Sequence, residues 1–231
     1  MILSNECFLY DNCKKYKNGD CKLDGSQFCI KLFRLDYLYK ESLLTEKQKE
    51  YIALRIDADG TDRDVFLKLK NIENNIEDFV KNGNSLYLYS HGCGNGKTAW
   101  ATRLIQAYFN AIWHKCDLNC KALFINVPRL LLALKDNIST KSEYIESIKA
   151  NVLEADMVVW DEIGTKSVST FEHEHLLSYI NSRIDNNKAQ IFTSNLDPQS
   201  LKEALGERLY SRVVNTSLVL EFRGADKRGL R

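Results

Sequence analysis

A chain of 231 residues, 44% hydrophobic and 27% charged, has room for one globular core and a small accessory module, with the balance of a soluble protein. Its formal net charge of +1 excludes a global basic field, so any contact with nucleic acid must come from local patches. No apolar run approaches the ~20 residues that span a bilayer, and no basic-then-apolar leader opens the chain, so no membrane partner is expected. A reduced, cytoplasmic setting follows, and seven cysteines then call for a reason other than disulfides.

Residues 1–34 are short of aliphatic periodicity and carry Cys7, Cys13, Cys21 and Cys29 in the spacing C-x5-C-x7-C-x7-C. Four thiolates bind Zn²⁺ tetrahedrally and supply folding energy to a segment too small for its own core. The spacing is looser than paired C-x2-C knuckles, and free structural cysteines are the alternative. Residues 35–59 read as a mostly helical connector, with Thr45 as an N-cap before EKQKEY.

From residue 60 to 231 the texture is that of one α/β domain. A helix over DRDVFLKLKNIENNIEDFVKNG repeats Val65, Leu69, Ile72, Ile76, Phe79 and Val80 at helical spacing and ends at a C′ glycine, Gly83. Strands are expected at Ser85–Ser90, Ala122–Val127, Met157–Asp161, Gln190–Asn195 and Leu218–Phe222. Helices fill the intervals: Lys97–His114, Arg129–Asp136, Tyr144–Leu153, Phe171–Asn187 and Gln199–Val214. Five apolar strands separated by helices predict a parallel five-stranded sheet covered on both faces.

The segment Ser85 to Trp100, SLYLYSHGCGNGKTAW, carries the chemistry. A short apolar strand runs into a glycine-rich loop of Gly92, Cys93, Gly94, Asn95 and Gly96, and Lys97-Thr98 then opens a helix. Loop and first-turn amides favour phosphate, aided by the helix dipole. Lys97 is placed to reach the β- and γ-phosphates of ATP, and Thr98 to hold Mg²⁺. His91 stands where the pattern G-x-x-x-x-G-K-[ST] has its first glycine.

Downstream, VVWDE ends an apolar strand in two carboxylates. At the carboxyl end of a strand neighbouring the phosphate loop, Asp161 would join the magnesium shell through Thr98. Glu162 would polarise a water for attack on the γ-phosphate. The next strand turns polar at Thr193, Ser194 and Asn195, where an amide could orient that water or cap the following turn. In LKEALGERLYSRVVNTS, Arg208 and Arg212 share one helix face. They suit either a finger completing a neighbour's site or an amphipathic helix with solvated arginines.

The order of phosphate loop, VVWDE, TSN and GERLYSR resembles the AAA+ ATPases of the DnaC/DnaI helicase-loader group, phage-encoded replication ATPases among them, over residues 60–231. The resemblance implies an AAA+ P-loop core with a reduced lid. It makes Lys97 and Thr98 the Walker A residues, Asp161 and Glu162 Walker B, Asn195 sensor 1, and Arg212 the arginine finger with Arg208 beside it. Arg228, in FRGADKRG, is the matching sensor 2 candidate. It also implies a zinc-bearing amino-terminal module that contacts a DnaB-type replicative helicase, ATP-driven self-association and a role in placing the helicase on single-stranded DNA. In such proteins the two helices before the Walker B strand touch DNA, which here carry Lys135, Lys141 and Lys149; a charge-decorated face is the alternative. An IstB-like transposition helper and a non-hydrolysing ATP-bound adaptor that sequesters a replication protein are rival functions. A small-molecule kinase is disfavoured, with no sequence for an acceptor pocket.

The remaining candidates carry little. Cys116 and Cys120 lie in a polar turn and read as incidental, and Cys93 as a loop filler. His173 and His175 are two apart, so they face different sides of a helix and miss the H-E-x-x-H metal pattern.

Overall fold

In chain order the computed structural model runs α1 (Lys14–Lys17), α2 (Gln27–Glu41), α3 (Glu46–Lys49), α4 (Arg63–Asn74), α5 (Ile76–Lys81), β1 (Ser85–Tyr89), α6 (Lys97–Ile112), β2 (Ala122–Asn126), α7 (Val127–Ser139), α8 (Glu143–Glu154), β3 (Met157–Asp161), α9 (Thr170–Asp185), β4 (Ala189–Ser194), α10 (Pro198–Val213) and β5 (Leu218–Glu221). It describes residues 7, 9, 13–21, 25–50, 54, 60–117, 119–139, 141–165 and 168–227, so the expected role of Arg228 falls outside the described residues.

The apolar strands need cover on both faces, and they receive it. Leu86, Leu88, Phe124, Val159 and Ile191 pack with α2, α4, α5 and α6. The alternate residues Tyr87, Leu123, Ile125, Val158, Trp160 and Phe192 pack with α7 to α10. The strand order is β2-β3-β4-β1-β5 and every pairing is parallel. The acid-bearing strand β3 therefore does not adjoin β1, as the sequence suggested; β4 lies between them, and β3 meets the phosphate loop by side chain instead.

Local chemistry redraws several expected elements. The helix expected through residues 62–83 is two helices broken at Asn75 (φ −119°, ψ 35°), whose side-chain amide donates to Asn71 O at 2.9 Å. That bond competes with the helical ladder, and the break lets Ile76, Phe79 and Val80 turn into the core. Gly206 (φ 77°, ψ 166°) likewise splits the helix expected over 199–214. Helix α7 starts two residues early, at Val127, because Pro128 sits in its first turn, where a missing N–H costs nothing.

Helix α2 begins at Gln27, so it crosses the boundary expected at residues 34 and 35. Its Leu38 is buried in the core, and Arg34 donates to Trp113 O at 3.1 Å and His114 O at 2.8 Å. Beyond it, Phe124 N donates to Ser42 O at 2.8 Å, so the connector lines the free edge of β2. Thr45 caps α3 as expected, its N–H donating to Gln48 Oε1 at 3.0 Å.

One buried cation ties the far end of the sheet. Arg183 is fully buried and donates to Val152 O (2.7 Å), Ala155 O (2.8 Å) and Ala189 O (2.7 Å), and desolvation pulls its pKa down to about 9. Arg183→Met is expected to lower the free energy of unfolding by roughly 3–5 kcal/mol, because the carbonyls stay buried without donors. Urea titration checks it.

Helix α9 opens on a capping box in which Glu172 accepts from Ser169 N at 2.7 Å, with Lys135 at 3.1 Å from its other oxygen. The Ser169 amide foremost, and then Lys135, hold its carboxyl down from 4.5 to about 2. A lowered folded pKa gives stability that is present above pH 4.5 and lost as pH falls toward 2. Glu172→Gln should flatten that part of the stability–pH curve, measured by denaturation at stepped pH.

Candidate nucleotide site

Strand β1 delivers the chain to Ser90, and the loop from His91 to Gly96 turns it into α6. Gly94 (φ 77°) and Gly96 (φ 108°) occupy the left-handed region, which a side chain would strain. His91 is not among the described residues with positive φ, so a histidine there costs the loop no backbone strain. Its ring meets Tyr89 edge-on, and Nδ1 lies 3.9 Å from Asp197.

The Lys97 ammonium is drawn back into this loop. It is 7% exposed and donates to Gly92 O (3.0 Å), Asn95 Oδ1 (3.1 Å) and the Ser90 hydroxyl. Ser90 before the loop and Gly92 and Asn95 within it thus hold the cation where phosphate oxygens would be met.

Thr98 Oγ1 donates to Asp161 Oδ1 at 2.9 Å, and Thr193 Oγ1 donates to the same oxygen at 2.7 Å. Burial pushes the Asp161 carboxyl above its ordinary value, while the Thr193 and Thr98 hydroxyls oppose the shift. This oxygen-only pair at the first turn of α6 fits a hard cation such as Mg²⁺.

Glu162 follows in the left-handed region (φ 63°), a conformation rare outside glycine, asparagine and aspartate. Its N–H donates to Thr193 Oγ1 at 3.1 Å, and its Oε2 accepts from Asn126 Nδ2 at 3.0 Å. Asn126 is itself fixed, because its Oδ1 accepts from Arg129 N at 3.2 Å at the start of α7. The exposed carboxylate is therefore aimed by a side chain that also caps a helix.

A cavity of about 350 Å³ collects these groups: Gly94 to Thr98, Glu162, Thr193 and Asn195, with Lys47 and Gln48 from α3. Asn195 lies 3.9 Å by its amide nitrogen from Cys93 Sγ. Sequence reasoning left out Ser90 and Asn126. Asn126 carries the signal that was read on β3 and β4, a polar residue at the carboxyl end of an apolar strand.

Other expected site residues lie elsewhere. Arg208 and Arg212 are exposed on α10 beyond the Gly206 kink, and neither lines this cavity. Lys135 pairs with the buried Glu172, and Lys149 with Glu146 at 2.9 Å, whereas Lys141 is exposed between α7 and α8. The described residues include Cys7, Cys13, Cys21 and Cys29, yet among them no group of three or more His, Cys, Asp or Glu side chains is gathered to hold a metal. The expected zinc site is thus not shown among the described residues. Cys116 and Cys120 donate to Trp113 O and Glu41 O, each at 3.5 Å.

A phosphate loop facing a carboxylate pair, on a parallel sheet with one strand inserted between them, defines a P-loop nucleotide-binding domain of the AAA+ class. The model of the bacterial DnaA ATPase domain matches residues 69–220, and the chain belongs to that family. Among curated proteins it is 29% identical over 157 residues to the replicative helicase loader DnaC of Buchnera aphidicola subsp. Schizaphis graminum (strain Sg), covering 67% of this chain and 60% of that one. The chain thus spans less than two thirds of that relative's length. In fold it is similar to the DnaC helicase loader (TM-score 0.59, 19% identity, covering 80% of this chain and 98% of that one). It is similar also to DnaI (TM-score 0.59, 18% identity, covering 81% and 95%).

Among the described residues no helix is long and apolar enough to cross a membrane.

Proposed function

We propose that this chain is an ATP-dependent helicase loader: it binds a DnaB-type replicative helicase and helps place it on single-stranded DNA in the cytoplasm. The observation that carries the ATPase half is the Thr98–Asp161 hydrogen bond, which joins the phosphate loop to the acid strand across an intervening strand. The loader half rests on the likeness to DnaC and DnaI.

In this reading Lys97 leaves its loop acceptors for the β- and γ-phosphates, and loop amides bind the remaining oxygens. Thr98 and Asp161 would hold Mg²⁺, which neutralises charge on the phosphates. Glu162 takes a proton from the attacking water, Asn126 orients Glu162, and Asn195 orients the water. Arg212, with Arg208 beside it, reaches the site of a neighbouring copy and stabilises charge on the transferring phosphoryl group. ATP thereby favours the assembly that holds the helicase, and hydrolysis releases it. The amino-terminal residues contact the helicase. For DNA, Lys141 on the α7–α8 loop is the favoured cation, since Lys135 and Lys149 are engaged by carboxylates.

Native mass spectrometry of the chain with the host's replicative helicase, with and without ATP and magnesium, tests the proposal. A complex of defined stoichiometry supports it. No complex under either condition would reject the helicase partner and leave the nucleotide site standing.

A further inference from the structure

The connector reaches into the nucleotide cavity, and nothing in the loop, acid-strand or arginine assignments uses it. Lys47 and Gln48 of α3 line the same cavity as Lys97, Thr98, Glu162 and Asn195. Helix α3 is fastened to the helix that carries Lys97 and Thr98: Gln106, 5% exposed on α6, donates its amide to Gln48 O at 2.8 Å and Glu50 O at 3.1 Å. Its other polar groups are engaged locally. The Gln48 side chain accepts from Thr45, and Lys49 pairs with Glu46 at 2.7 Å. Lys47 is exposed and has no ion pair among the described residues.

We infer that Lys47 is a second cationic contact to the triphosphate, supplied within one chain by the connector, so that bound ATP clamps α3 onto α6. This rests on the reading of the cavity as an ATP site and deepens it. A single lysine buried among loop acceptors leaves much of a triphosphate's charge to other partners, and an ammonium at the cavity wall meets that need. Lys47 shares this cavity with Glu162, beside which the last phosphate would meet its water, so the contact is expected to select ATP over ADP. The chain entering α3 comes from α2 and the cysteine-bearing residues. The clamp therefore carries nucleotide state toward the amino-terminal segment.

The test is equilibrium binding of ATP and ADP with magnesium to the full chain and to Lys47→Ala, Lys47→Arg and Lys97→Ala. Amide hydrogen exchange over residues 44–50 is measured alongside. Lys47→Ala should weaken ATP about tenfold and ADP less than twofold, as loss of a charge-assisted contact to the last phosphate would, and Lys47→Arg should restore most of the ATP affinity. ATP should slow exchange over residues 44–50 in the parent chain and not in Lys47→Ala. An unchanged ATP affinity in Lys47→Ala, with Lys97→Ala defective, would overturn the contact alone. ATP binding that leaves the exchange of residues 44–50 unaltered in the parent chain would overturn the clamp. A parent chain that binds neither nucleotide would overturn the ATP reading and the role of Lys47 with it.

Discussion

Glu162→Gln is expected to bind ATP as the parent chain does and to hydrolyse it ~10²–10⁴-fold more slowly, the usual contribution of a positioned general base. In the proposed reading binding rests on other groups: the Lys97 ammonium, the glycine loop and the Thr98–Asp161 pair. The glutamine keeps the size of the side chain and an oxygen for the Asn126 amide now 3.0 Å away, so the Glu162 turn need not move. Only the basic oxygen is lost. Steady-state hydrolysis and equilibrium ATP binding, measured on one preparation, separate the two effects. A variant with parental turnover would remove Glu162 from the role of base. One that failed to bind would place Glu162 in binding instead.

Much of this site is legible in sequence because its parts are local. The glycines, Lys97 and Thr98 lie within a few residues, and the loop demands glycine only at two left-handed positions, Gly94 and Gly96. That explains why the irregular His91 did not spoil the pattern. The five strands are legible for a similar reason, since burial on both faces leaves an apolar run bounded by polar ends. What escaped depends on partners distant in the chain. Asn126 meets Glu162 from 36 residues away, and Thr193 meets Asp161 from 32 residues away. The insertion of β4 between β1 and β3 is equally invisible to periodicity, which reports strands and not their order.

Two cations, Lys135 and Arg183, meet buried acceptors that sequence does not reveal. In sequence Lys135 is a candidate DNA contact or part of a charge-decorated face, yet it faces a carboxylate whose side chain is 2% exposed. Arg183, which no sequence pattern singles out, is fully buried and serves backbone carbonyls at the end of α8 and at β4. In both cases the deciding partner is supplied by another element. The first turns of α2, Gln27 to Arg34, escaped for a third reason: the helix has few buried residues, so its apolar stripe is weak although Leu38 sits in the core.

Arg212→Ala is expected to leave ATP binding intact and to cut hydrolysis by ~10³–10⁵, the range of arginine fingers in phosphoryl transfer. Beyond the Gly206 kink, Leu209 and Val213 are buried four residues apart and fix the inner face of the last turns of α10. Arg208 and Arg212, also four apart, are thereby presented outward on a rigid segment. Removing an exposed guanidinium there leaves the core untouched, so a loss of turnover cannot be blamed on unfolding. The decisive step is to mix Arg212→Ala subunits, whose own sites are complete, with Glu162→Gln subunits, which hydrolyse poorly but keep the arginine. If the finger acts between copies, the mixture hydrolyses ATP well above the sum of its parts, with a maximum at intermediate ratios. If the mixture shows only that sum, Arg212 does not act in trans. The outward face of α10 would then belong to a different partner, and the low turnover of Arg212→Ala would have to arise within one chain.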